Sequence, residues 1–271
     1  MTKIKASRIV ITGAGSGIGE ATALRAAKGG ASEIVCVDIN LASAQATAAA
    51  CEALGTTASA WHCDVADRDA VQVLADAIET ERGPVDVLVN NAGVGIGGPF
   101  LQASVEDWDW LIGINLNGVA YGCHAFGAAM VKRGSGHVVN IASGAAYIMS
   151  RDMAAYCASK AGVVAFSRCL RADWASSGVG VSAICPGVIN TPIAGATRMV
   201  GELAERQDKV VRAFKYGHSP DLVAKAILKA TEHNTELQPV GFESEIAYRV
   251  LPFVPGPIRG LATRAPLHKL T

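Results

Sequence analysis

Short apolar runs rich in β-branched residues alternate with longer, alanine-rich segments along most of the chain. Runs this apolar are typical of strands buried on both faces of a parallel sheet, and the longer segments have the length and composition of helices. The predicted strands are Arg8–Thr12, Glu33–Asp38, Thr57–Cys63, Val85–Asn90, His137–Ala142, Val179–Cys185 and a short run near Leu237–Val240. The predicted helices are Ile18–Lys28, Leu41–Leu54, Asp67–Glu81, Ser104–Arg133, Met153–Ser176 and a segment from Asp221 to about Thr231.

Strands separated by helices predict right-handed βαβ units, and a series of such units predicts an α/β fold. We expect a Rossmann-like, doubly wound parallel sheet of about seven strands, flanked by helices. No linker rich in Pro, Gly or Ser divides residues 1–240, which we interpret as one catalytic domain. Residues 190–217 break the alternation and are interpreted as a substrate lid, and residues 241–271 as a C-terminal extension.

Composition narrows the class of protein further. Lys and Arg number 24, as do Asp and Glu, so the formal net charge is zero and nucleic-acid binding is not expected. The seven cysteines lack a C-x-x-C pair, which favours reduced thiols in a cytoplasmic protein. The N-terminus lacks the apolar core of a signal peptide, and no apolar run reaches the ~20 residues that span a bilayer. The six histidines show no ligand spacing, so no metal site is predicted.

A glycine-rich turn, Thr12-Gly13-Ala14-Gly15-Ser16-Gly17-Ile18-Gly19, follows the first predicted strand and opens the first helix. Such a loop lets the backbone approach a phosphate, and the helix N-terminus adds N–H groups and the positive end of its dipole. The spacing is G-x-x-x-G-x-G rather than G-x-G-x-x-G, so a simple tight turn remains the alternative. The cofactor contacts predicted in this loop are Gly13, Ser16, Gly17, Ile18 and Gly19.

Asp38 ends the second predicted strand, where a carboxylate can accept hydrogen bonds from the adenosine ribose hydroxyls. The same carboxylate would repel a 2′-phosphate, and its neighbours Ile39 and Asn40 are uncharged. NAD is therefore favoured over NADP. The structural alternative is that Asp38 caps the helix that begins at Leu41.

The glycine loop and Asp38, together with the further motifs named at the end of this paragraph, give the chain a resemblance to a known family. From residue 8 to about 240 it resembles the short-chain dehydrogenases/reductases, in their compact single-domain branch. Taken singly, each motif has an ordinary structural explanation such as a turn, a cap or an i,i+4 helix pair. Because the motifs occur together in this order and all map to the carboxyl edge of the sheet, they indicate one ligand site. Beyond the glycine loop and Asp38, the motifs are Asp64-Val65, Asn90-Asn91-Ala92-Gly93, Asn115, Ser143, Tyr156-Cys157-Ala158-Ser159-Lys160 and Pro186-Gly187-Val188-Ile189-Asn190-Thr191.

The resemblance implies how the cofactor would be held. It implies that Asp64 and Val65 contact adenine, and that Asn91 and Gly93 close the cofactor cleft. It also implies that Thr191 and the backbone of Ile189 fix the nicotinamide carboxamide. The remaining cofactor contacts predicted near the nicotinamide are Tyr156, Lys160, Pro186 and Gly187.

Tyr156 is the predicted acid/base. A tyrosine can accept a hydroxyl proton near neutral pH only if its pKa of ~10 is lowered. Lys160 lies one helical turn away on the same face, where its ammonium charge favours the phenolate. The resemblance implies further that Lys160 binds the nicotinamide ribose, that Ser143 holds the substrate oxygen, and that Asn115 kinks its helix and positions a water of the proton relay.

These observations predict an NAD(H)-dependent oxidoreductase that interconverts a secondary, apolar alcohol and its ketone. Two alternatives stay open: a non-redox enzyme on the same fold, such as an epimerase or dehydratase, and a catalytically silent dinucleotide-binding sensor. The complete set of Ser143, Tyr156 and Lys160 argues against the sensor.

In the family that this chain resembles, the substrate pocket is built by segments that correspond here to Val94–Pro99, Gly144–Met153 and Asn190–Gly217. Their apolar candidates are Ile96, Phe100, Ala145, Tyr147, Ile148, Met149, Ile193, Met199, Val200, Leu203 and Phe214. An apolar pocket favours a hydrophobic substrate, although the lid residues can equally pack against the body of the protein. Arg151 is interpreted as a solvated surface residue rather than a partner for a substrate carboxylate.

The C-terminal extension mixes apolar and basic residues and has no acidic residue beyond Glu245. A basic amphipathic segment on a membrane is one interpretation, but Pro252, Pro255 and Pro257 break any long helix. We favour a tail that covers the substrate mouth or packs on a neighbouring subunit. The resemblance also implies a homodimer or homotetramer built on the helices Ser104–Arg133 and Met153–Ser176. The tail residues concerned are Ile246, Tyr248, Arg249, Val250, Leu251, Phe253, Val254, Ile258, Arg259, Leu261, Arg264, Leu267 and Lys269.

Overall fold

Seven parallel strands form the central sheet of the computed structural model, which describes residues 2–263. The sheet strands are β1 (Arg8–Thr12), β2 (Glu33–Asp38), β3 (Thr57–His62), β4 (Val87–Asn90), β6 (Gly136–Ile141), β7 (Val179–Pro186) and β9 (Leu237–Val240). A separate pair is formed by β5 (Ile96–Gly97) and β8 (Arg198–Met199). The predicted doubly wound parallel sheet is therefore confirmed, with strand boundaries that differ from the predicted ones by at most two residues.

Helices cover both faces of the sheet. They are α1 (Gly17–Lys28), α2 (Leu41–Glu52), α3 (Arg68–Glu81), α4 (Val105–Ile112), α5 (Gly118–Arg133), α6 (Ala154–Asp173), α7 (Ile193–Ala196), α8 (Gln207–Phe214), α9 (Pro220–His233), α10 (Phe242–Val250) and α11 (Gly256–Ala262). Alternate residues of each central strand enter opposite cores: Ile9 and Ile11 pack with α1 and α9, whereas Val10 packs with α3 and α5. This two-sided burial explains why the strands are almost continuously apolar.

The strand order is β3-β2-β1-β4-β6-β7-β9. β2 and β3 are therefore added on one side of β1, and the strands from β4 onward are added on its other side. The reversal between β1 and β4 opens a crevice at the carboxyl ends of these strands, which is where open α/β sheets bind ligands. The predicted motifs lie directly after strands that end at this edge or, for Asn115, Tyr156 and Lys160, in the helical segments that come after those strands.

The predicted helix Ser104–Arg133 is divided by a π-helical segment. α4 begins with a capping box of Ser104 and Asp107, Gly113–Asn117 forms the π turn, and α5 continues to Arg133. A π turn inserts an extra residue into the helix and changes the direction in which its side chains point. Here the extra residue brings Asn115 into the core.

The segment predicted as a lid contains α7, β8, a 3-10 turn and α8. Its strand β8 pairs in parallel with β5, so that Arg198 lies beside Ile96. Leu203 and Val210 are buried. Leu203 lies against Gly97 of β5, so this predicted lid residue packs against the body of the protein, as the alternative interpretation allowed.

The C-terminal extension forms α10, a 3-10 turn over Leu251–Phe253, and α11. As expected, the prolines confine it to short helices. Large apolar side chains of this extension are exposed, among them Phe242, Ile246, Phe253 and Ile258. Arg264, Leu267 and Lys269 lie outside the described residues, and so does the side chain of Leu261. Within residues 2–263, no helix has both the length and the apolar character needed to cross a membrane.

Candidate active site

A cleft runs along the carboxyl ends of the strands from β3 to β7. With the exception of Gly19, it is lined by every residue predicted to contact the cofactor, and Ser143 lines it as well. The cleft-lining residues are Gly13, Ser16, Gly17, Ile18, Asp38, Ile39, Cys63, Asp64, Val65, Asn91, Ala92, Gly93, Val94, Ile114, Ile141, Ala142, Ser143, Tyr156, Lys160, Pro186, Gly187, Ile189, Thr191, Pro192, Ile193, Ala196 and Phe214. Residues separated by more than a hundred positions in the chain thus form one continuous surface.

The glycine loop turns sharply from β1 into α1. Gly13 and Gly17 have φ angles of 64° and 57°, a conformation that favours glycine. Gly19 was predicted to touch the cofactor, but it lies under the loop: a Cβ atom there would clash with the carbonyl oxygen of Gly13. Gly19 is buried, does not line the cleft and allows close packing of helix against strand, and the contact predicted for it stays a prediction.

Asp38 faces the glycine loop from the end of β2. Its Oδ2 accepts the Gly15 N–H at 2.9 Å and its Oδ1 accepts the Asn40 N–H at 2.9 Å. The N-cap of α2 is Asn40, which accepts the Ser43 N–H at 3.2 Å. Asp38 therefore does not cap this helix, and its carboxylate borders the cleft.

Asn91 connects β4 to the glycine loop. Its amide donates to the carbonyl oxygens of Thr12 at 2.9 Å and Gly13 at 3.1 Å. Asp64 is held by its own turn, since its Oδ1 accepts the Ala66 N–H at 2.9 Å. Both side chains are thereby fixed at the rim of the cleft.

Ser143, Tyr156 and Lys160 meet at the other end of the cleft. Ser143 lies two residues after the end of β6 and accepts the Ala145 N–H at 3.2 Å, while Tyr156 lies in the first turn of α6. Lys160 is 3% exposed, and its ammonium donates to the Ile141 carbonyl at 3.0 Å and lies 5.9 Å from the centroid of the Tyr156 ring. The sequence-predicted triad is therefore brought together.

Burial governs the protonation of this group. It raises the pKa of Tyr156, an effect that hydrogen bonding to Ser143 opposes, and it lowers the pKa of Lys160 to about 8. The direction at Tyr156 is opposite to the predicted one. The physical reason is that the apolar surroundings penalise the phenolate and the ammonium alike, and the Lys160 ammonium is directed at Ile141.

Asn115 does not line the cleft but lies behind it, fully buried in the π turn. Its Oδ1 accepts the Val94 N–H at 2.8 Å, and its Nδ2 donates to the Val94 carbonyl at 2.9 Å and to Ser159 Oγ at 3.2 Å. A Cβ atom on Gly93 would lie 3.3 Å from Asn115 Oδ1 and 3.4 Å from Lys160 Nζ. Asn115 thus reaches the vicinity of Lys160 across Gly93.

Only part of the predicted substrate pocket faces the cleft. Ile193 and Phe214 line it, whereas Met149 is exposed on the surface. Arg151 is also exposed, and its Nε lies 3.7 Å from Asp152 Oδ1. Its exposure agrees with its interpretation as a surface residue. None of the described residues of the C-terminal extension lines the cleft, although the Arg151 N–H donates to the Thr263 carbonyl at 3.0 Å, so the extension contacts one of the predicted pocket segments.

Several apolar residues of the cleft were missed by sequence reasoning. Ile39 and Cys63 lie next to predicted contacts at strand ends, so adjacency to Asp38 and Asp64 was the available signal. Ile114 reaches the cleft because the π turn reorients the helix around it, and no local pattern in the sequence announces that turn. Within residues 2–263, no group of His, Cys, Asp or Glu is arranged to hold a metal ion.

Comparison with known proteins gives the class of protein. Residues 7–200 match the family model described as short chain dehydrogenase. This match covers more than half of the chain, and the fold and the cleft described above agree with it. The chain belongs to the short chain dehydrogenase family.

Individual relatives are similar over most of this chain. "Probable oxidoreductase EphD" of Mycobacterium tuberculosis is 41% identical over 264 residues, which cover 94% of this chain and 44% of that protein. D-threitol dehydrogenase of Mycolicibacterium smegmatis is 39% identical over 82% of this chain and 85% of its own length. A short chain dehydrogenase/reductase from Burkholderia phymatum, solved in complex with NAD, has a TM-score of 0.87 and 30% identity and covers 98% of both chains. The chain thus spans less than half the length of the EphD protein.

Proposed function

We propose that this protein is an NAD(H)-dependent dehydrogenase that interconverts a secondary, apolar alcohol and its ketone, with Tyr156 as the acid/base. The observation that carries the proposal is a single cleft with Asp38 at one end and Ser143, Tyr156 and Lys160 at the other. A dinucleotide that lies along such a cleft presents its ribose hydroxyls at one end and its nicotinamide at the other.

The residues of the glycine loop fit a dinucleotide. Ser16, the N-cap of α1, makes no side-chain hydrogen bond to the helix, so the first-turn N–H groups are not capped from that side chain. Backbone N–H groups of this kind, at the positive end of a helix dipole, bind phosphate. Gly13, Ser16, Gly17 and Ile18 would hold the pyrophosphate.

The preference for NAD over NADP is supported by charge. Asp38 borders the cleft, and Lys160 is the only lysine or arginine among the described residues that line it. A 2′-phosphate next to Asp38 would meet a carboxylate and find no compensating cation, which is unfavourable. By analogy with the family, Asp64 and Val65 would contact the adenine, and Thr191 with the backbone of Ile189 the nicotinamide carboxamide.

The triad supplies the proton chemistry. A bound nicotinamide would supply the hydride chemistry, namely hydride acceptance from the carbinol carbon or, in the reverse direction, hydride donation to the carbonyl carbon. In reduction, protonated Tyr156 donates its proton to the carbonyl oxygen; in oxidation, its phenolate accepts the hydroxyl proton. The raised pKa of Tyr156 favours the protonated acid, and Lys160 stabilises the phenolate that forms when the proton leaves. Ser143 Oγ accepts from Ala145, so its own O–H can donate to the substrate oxygen.

The substrate class is inferred from the residues around the triad. Val94, Ile193 and Phe214 line the cleft, and their side chains carry no polar groups that would bind hydroxyls. The relative named D-threitol dehydrogenase indicates a polyol as the alternative substrate. A panel of secondary alcohols, ketones and D-threitol, assayed at the NADH absorbance band with NAD and with NADP, distinguishes these possibilities.

Tyr156→Phe tests the mechanism. We expect turnover to fall by roughly 10²–10⁴-fold, because the ring is kept and the proton donor is lost. NADH binding, measured by fluorescence titration, should be unchanged within about twofold, since the removed hydroxyl is one contact among many. A variant that retains wild-type turnover would contradict the assignment of Tyr156.

The same measurements separate the alternatives. An epimerase or dehydratase would convert substrate with no net change in NADH, and a sensor would bind NADH without turnover by the wild-type protein. No described residue favours either over the dehydrogenase. Assembly as a homodimer or homotetramer and a cytoplasmic location remain predictions, the first testable by light scattering on the purified protein.

A further inference from the structure

Helix α10, the first helix of the C-terminal extension, returns to the edge of the cleft immediately after β9. Gly241, with a φ of 96°, turns the chain from β9 into α10, a conformation that favours glycine. The first turn of α10 consequently lies over the loop that follows β7. This loop, residues 187–191, lines the cleft at Gly187, Ile189 and Thr191.

Glu243 hydrogen-bonds the backbone of this loop. The ladder between β7 and β9 ends where the Gly187 N–H donates to the Val240 carbonyl at 2.8 Å. The next N–H, that of Val188, donates to Glu243 Oε1 at 2.8 Å, and so obtains the partner that the ladder no longer provides. Glu243 Oε2 receives a second hydrogen bond from His218 Nε2 at 2.9 Å.

His218 completes a closed set of contacts. Its N–H donates to the Val188 carbonyl at 2.9 Å and its own carbonyl accepts the Asn190 N–H at 2.9 Å. Burial alone would raise the pKa of Glu243, but the hydrogen bonds from His218 and from backbone N–H groups outweigh it and hold the pKa below its ordinary value. The carboxylate therefore stays ionised at neutral pH and is a strong acceptor for both donors.

Gly187 provides the room for this arrangement. A Cβ atom at Gly187 would clash with Glu243 Oε1. Gly187 therefore does more than allow the turn after Pro186. A larger residue at this position would push the Glu243 carboxylate away from the Val188 N–H.

Ser244 forms a second connection in the same turn of α10. It is fully buried, donates to the Cys185 carbonyl at 2.7 Å and hydrogen-bonds the Tyr147 hydroxyl. Tyr147 follows the 3-10 turn that begins after Ser143. One turn of α10 therefore holds both the loop after β7 and the loop after β6.

These contacts are confined to one half of the cleft. In the strand order, β9 and α10 lie beyond β7, whereas Asp38 and Asp64 follow β2 and β3 at the opposite side of the sheet. A change at Glu243 should therefore disturb the end of the cleft near Tyr156 and leave the adenosine end intact.

We propose that Glu243 is a positioning residue for the nicotinamide end of the cofactor, acting through the backbone of residues 187–191. This inference rests on the proposed function, in which that loop holds the nicotinamide carboxamide. Without the carboxylate, the Val188 N–H and His218 lose their shared partner, and the loop is no longer held in one conformation.

The test compares NADH with ADP-ribose, which lacks the nicotinamide, by calorimetric titration of the full-length protein. Glu243→Ala should weaken NADH binding about tenfold, as expected for loss of a charged hydrogen bond, and leave ADP-ribose binding within about twofold. Glu243→Gln, which keeps an acceptor oxygen for Val188, should restore most of the NADH affinity. Glu245→Ala is the matched control, because Glu245 lies on the same helix and pairs with Arg249 at the surface.

Each outcome is decisive. Equal weakening of both ligands in Glu243→Ala, or weakening of neither, overturns the positioning role. Wild-type protein that binds neither ligand overturns the proposed function and this inference with it. Should Glu243→Ala fail to fold, His218→Ala carries the same comparison, since it removes the other partner of the carboxylate; a selective loss for NADH supports the inference and its absence overturns it.

Discussion

Asp38 combines two roles in one side chain. Its carboxylate holds the glycine loop through Gly15 and also borders the part of the cleft where the adenosine ribose would lie. A substitution at this position therefore changes both the loop and the charge that a 2′-phosphate would meet. The ratio of affinities for NAD and NADP separates the two effects, because loosening of the loop affects both cofactors equally.

Asp38→Asn should lower the preference for NAD. The amide keeps the shape but loses the negative charge and one acceptor, so the KM for NAD should rise about tenfold while the KM for NADP rises less or falls. Steady-state kinetics with both cofactors give the ratio. Glu52→Gln, at an exposed position near the end of α2, controls for loss of one negative charge. If both KM values of Asp38→Asn rose by one factor, the carboxylate would not discriminate between the cofactors.

At the scale of elements, a buried histidine joins two strands of the sheet. His137 on β6 and Ser182 on β7 are hydrogen-bonded at 2.8 Å, and Ser182 donates in turn to the Thr235 carbonyl. Gly180 on β7 leaves the space that the imidazole occupies, since a Cβ atom there would clash with it. Burial and the nearby Arg171 lower the pKa of His137 to about 4.

This burial predicts a pH dependence of stability. The folded pKa of about 4 lies below the ordinary value of 6.5, so between these limits the unfolded chain binds a proton that the folded chain does not. The free energy of unfolding should therefore decrease as the pH falls below 6.5, by about 2 kcal/mol at pH 5 from this group alone. Urea unfolding of wild type and His137→Gln at pH 7 and pH 5 measures the difference.

The expected result is that wild type loses about 2 kcal/mol more than His137→Gln over this pH range, because the glutamine does not titrate. His62→Gln, at an exposed position that ends β3, provides a matched control for the substitution itself. Equal losses for wild type and His137→Gln would show that His137 does not couple folding to protonation.

The helix that contains Asn115 shows how an element serves the site. In a regular helix over the predicted span, the side chains after Gly113 would point in other directions. The π turn brings Asn115 to Val94 and Ser159 and directs Ile114 into the cleft. Both backbone groups of Val94 are satisfied by this one side chain. The π turn is therefore what connects this helix, through Asn115, to Val94 in the lining of the cleft.

At the scale of the whole molecule, the cofactor should stabilise the fold. The cleft collects residues from the carboxyl ends of six strands, so a ligand that fills it binds the folded chain and not the unfolded one. NADH at one hundred times its dissociation constant should add about 2.7 kcal/mol of stability and raise the Tm by roughly 5 °C. Differential scanning fluorimetry with NADH and NADPH at equal concentrations measures this, and an equal shift with the two cofactors would contradict the proposed preference.

The sequence by itself determined the order of the elements and the edge of the sheet that carries the site, through local patterns: apolar runs, glycines at turns, and polar residues where strands end. Most of the residues predicted at the site came instead from the resemblance to a known family. Tyr156 and Lys160 could be paired from their spacing alone, and Asp38 could be placed at a strand end by its position after an apolar run.

The tertiary structure alone decided which side chains support those residues and how they are protonated. Glu243 contacts Val188 from 55 positions away and Asn115 contacts Val94 from 21, and no periodicity encodes either contact. The raised pKa of Tyr156 and the lowered pKa of Lys160 likewise come from burial by residues distant in the chain. Through-space desolvation and long-range hydrogen bonds depend on how the elements pack, and packing is a property of the folded chain that local sequence patterns do not specify.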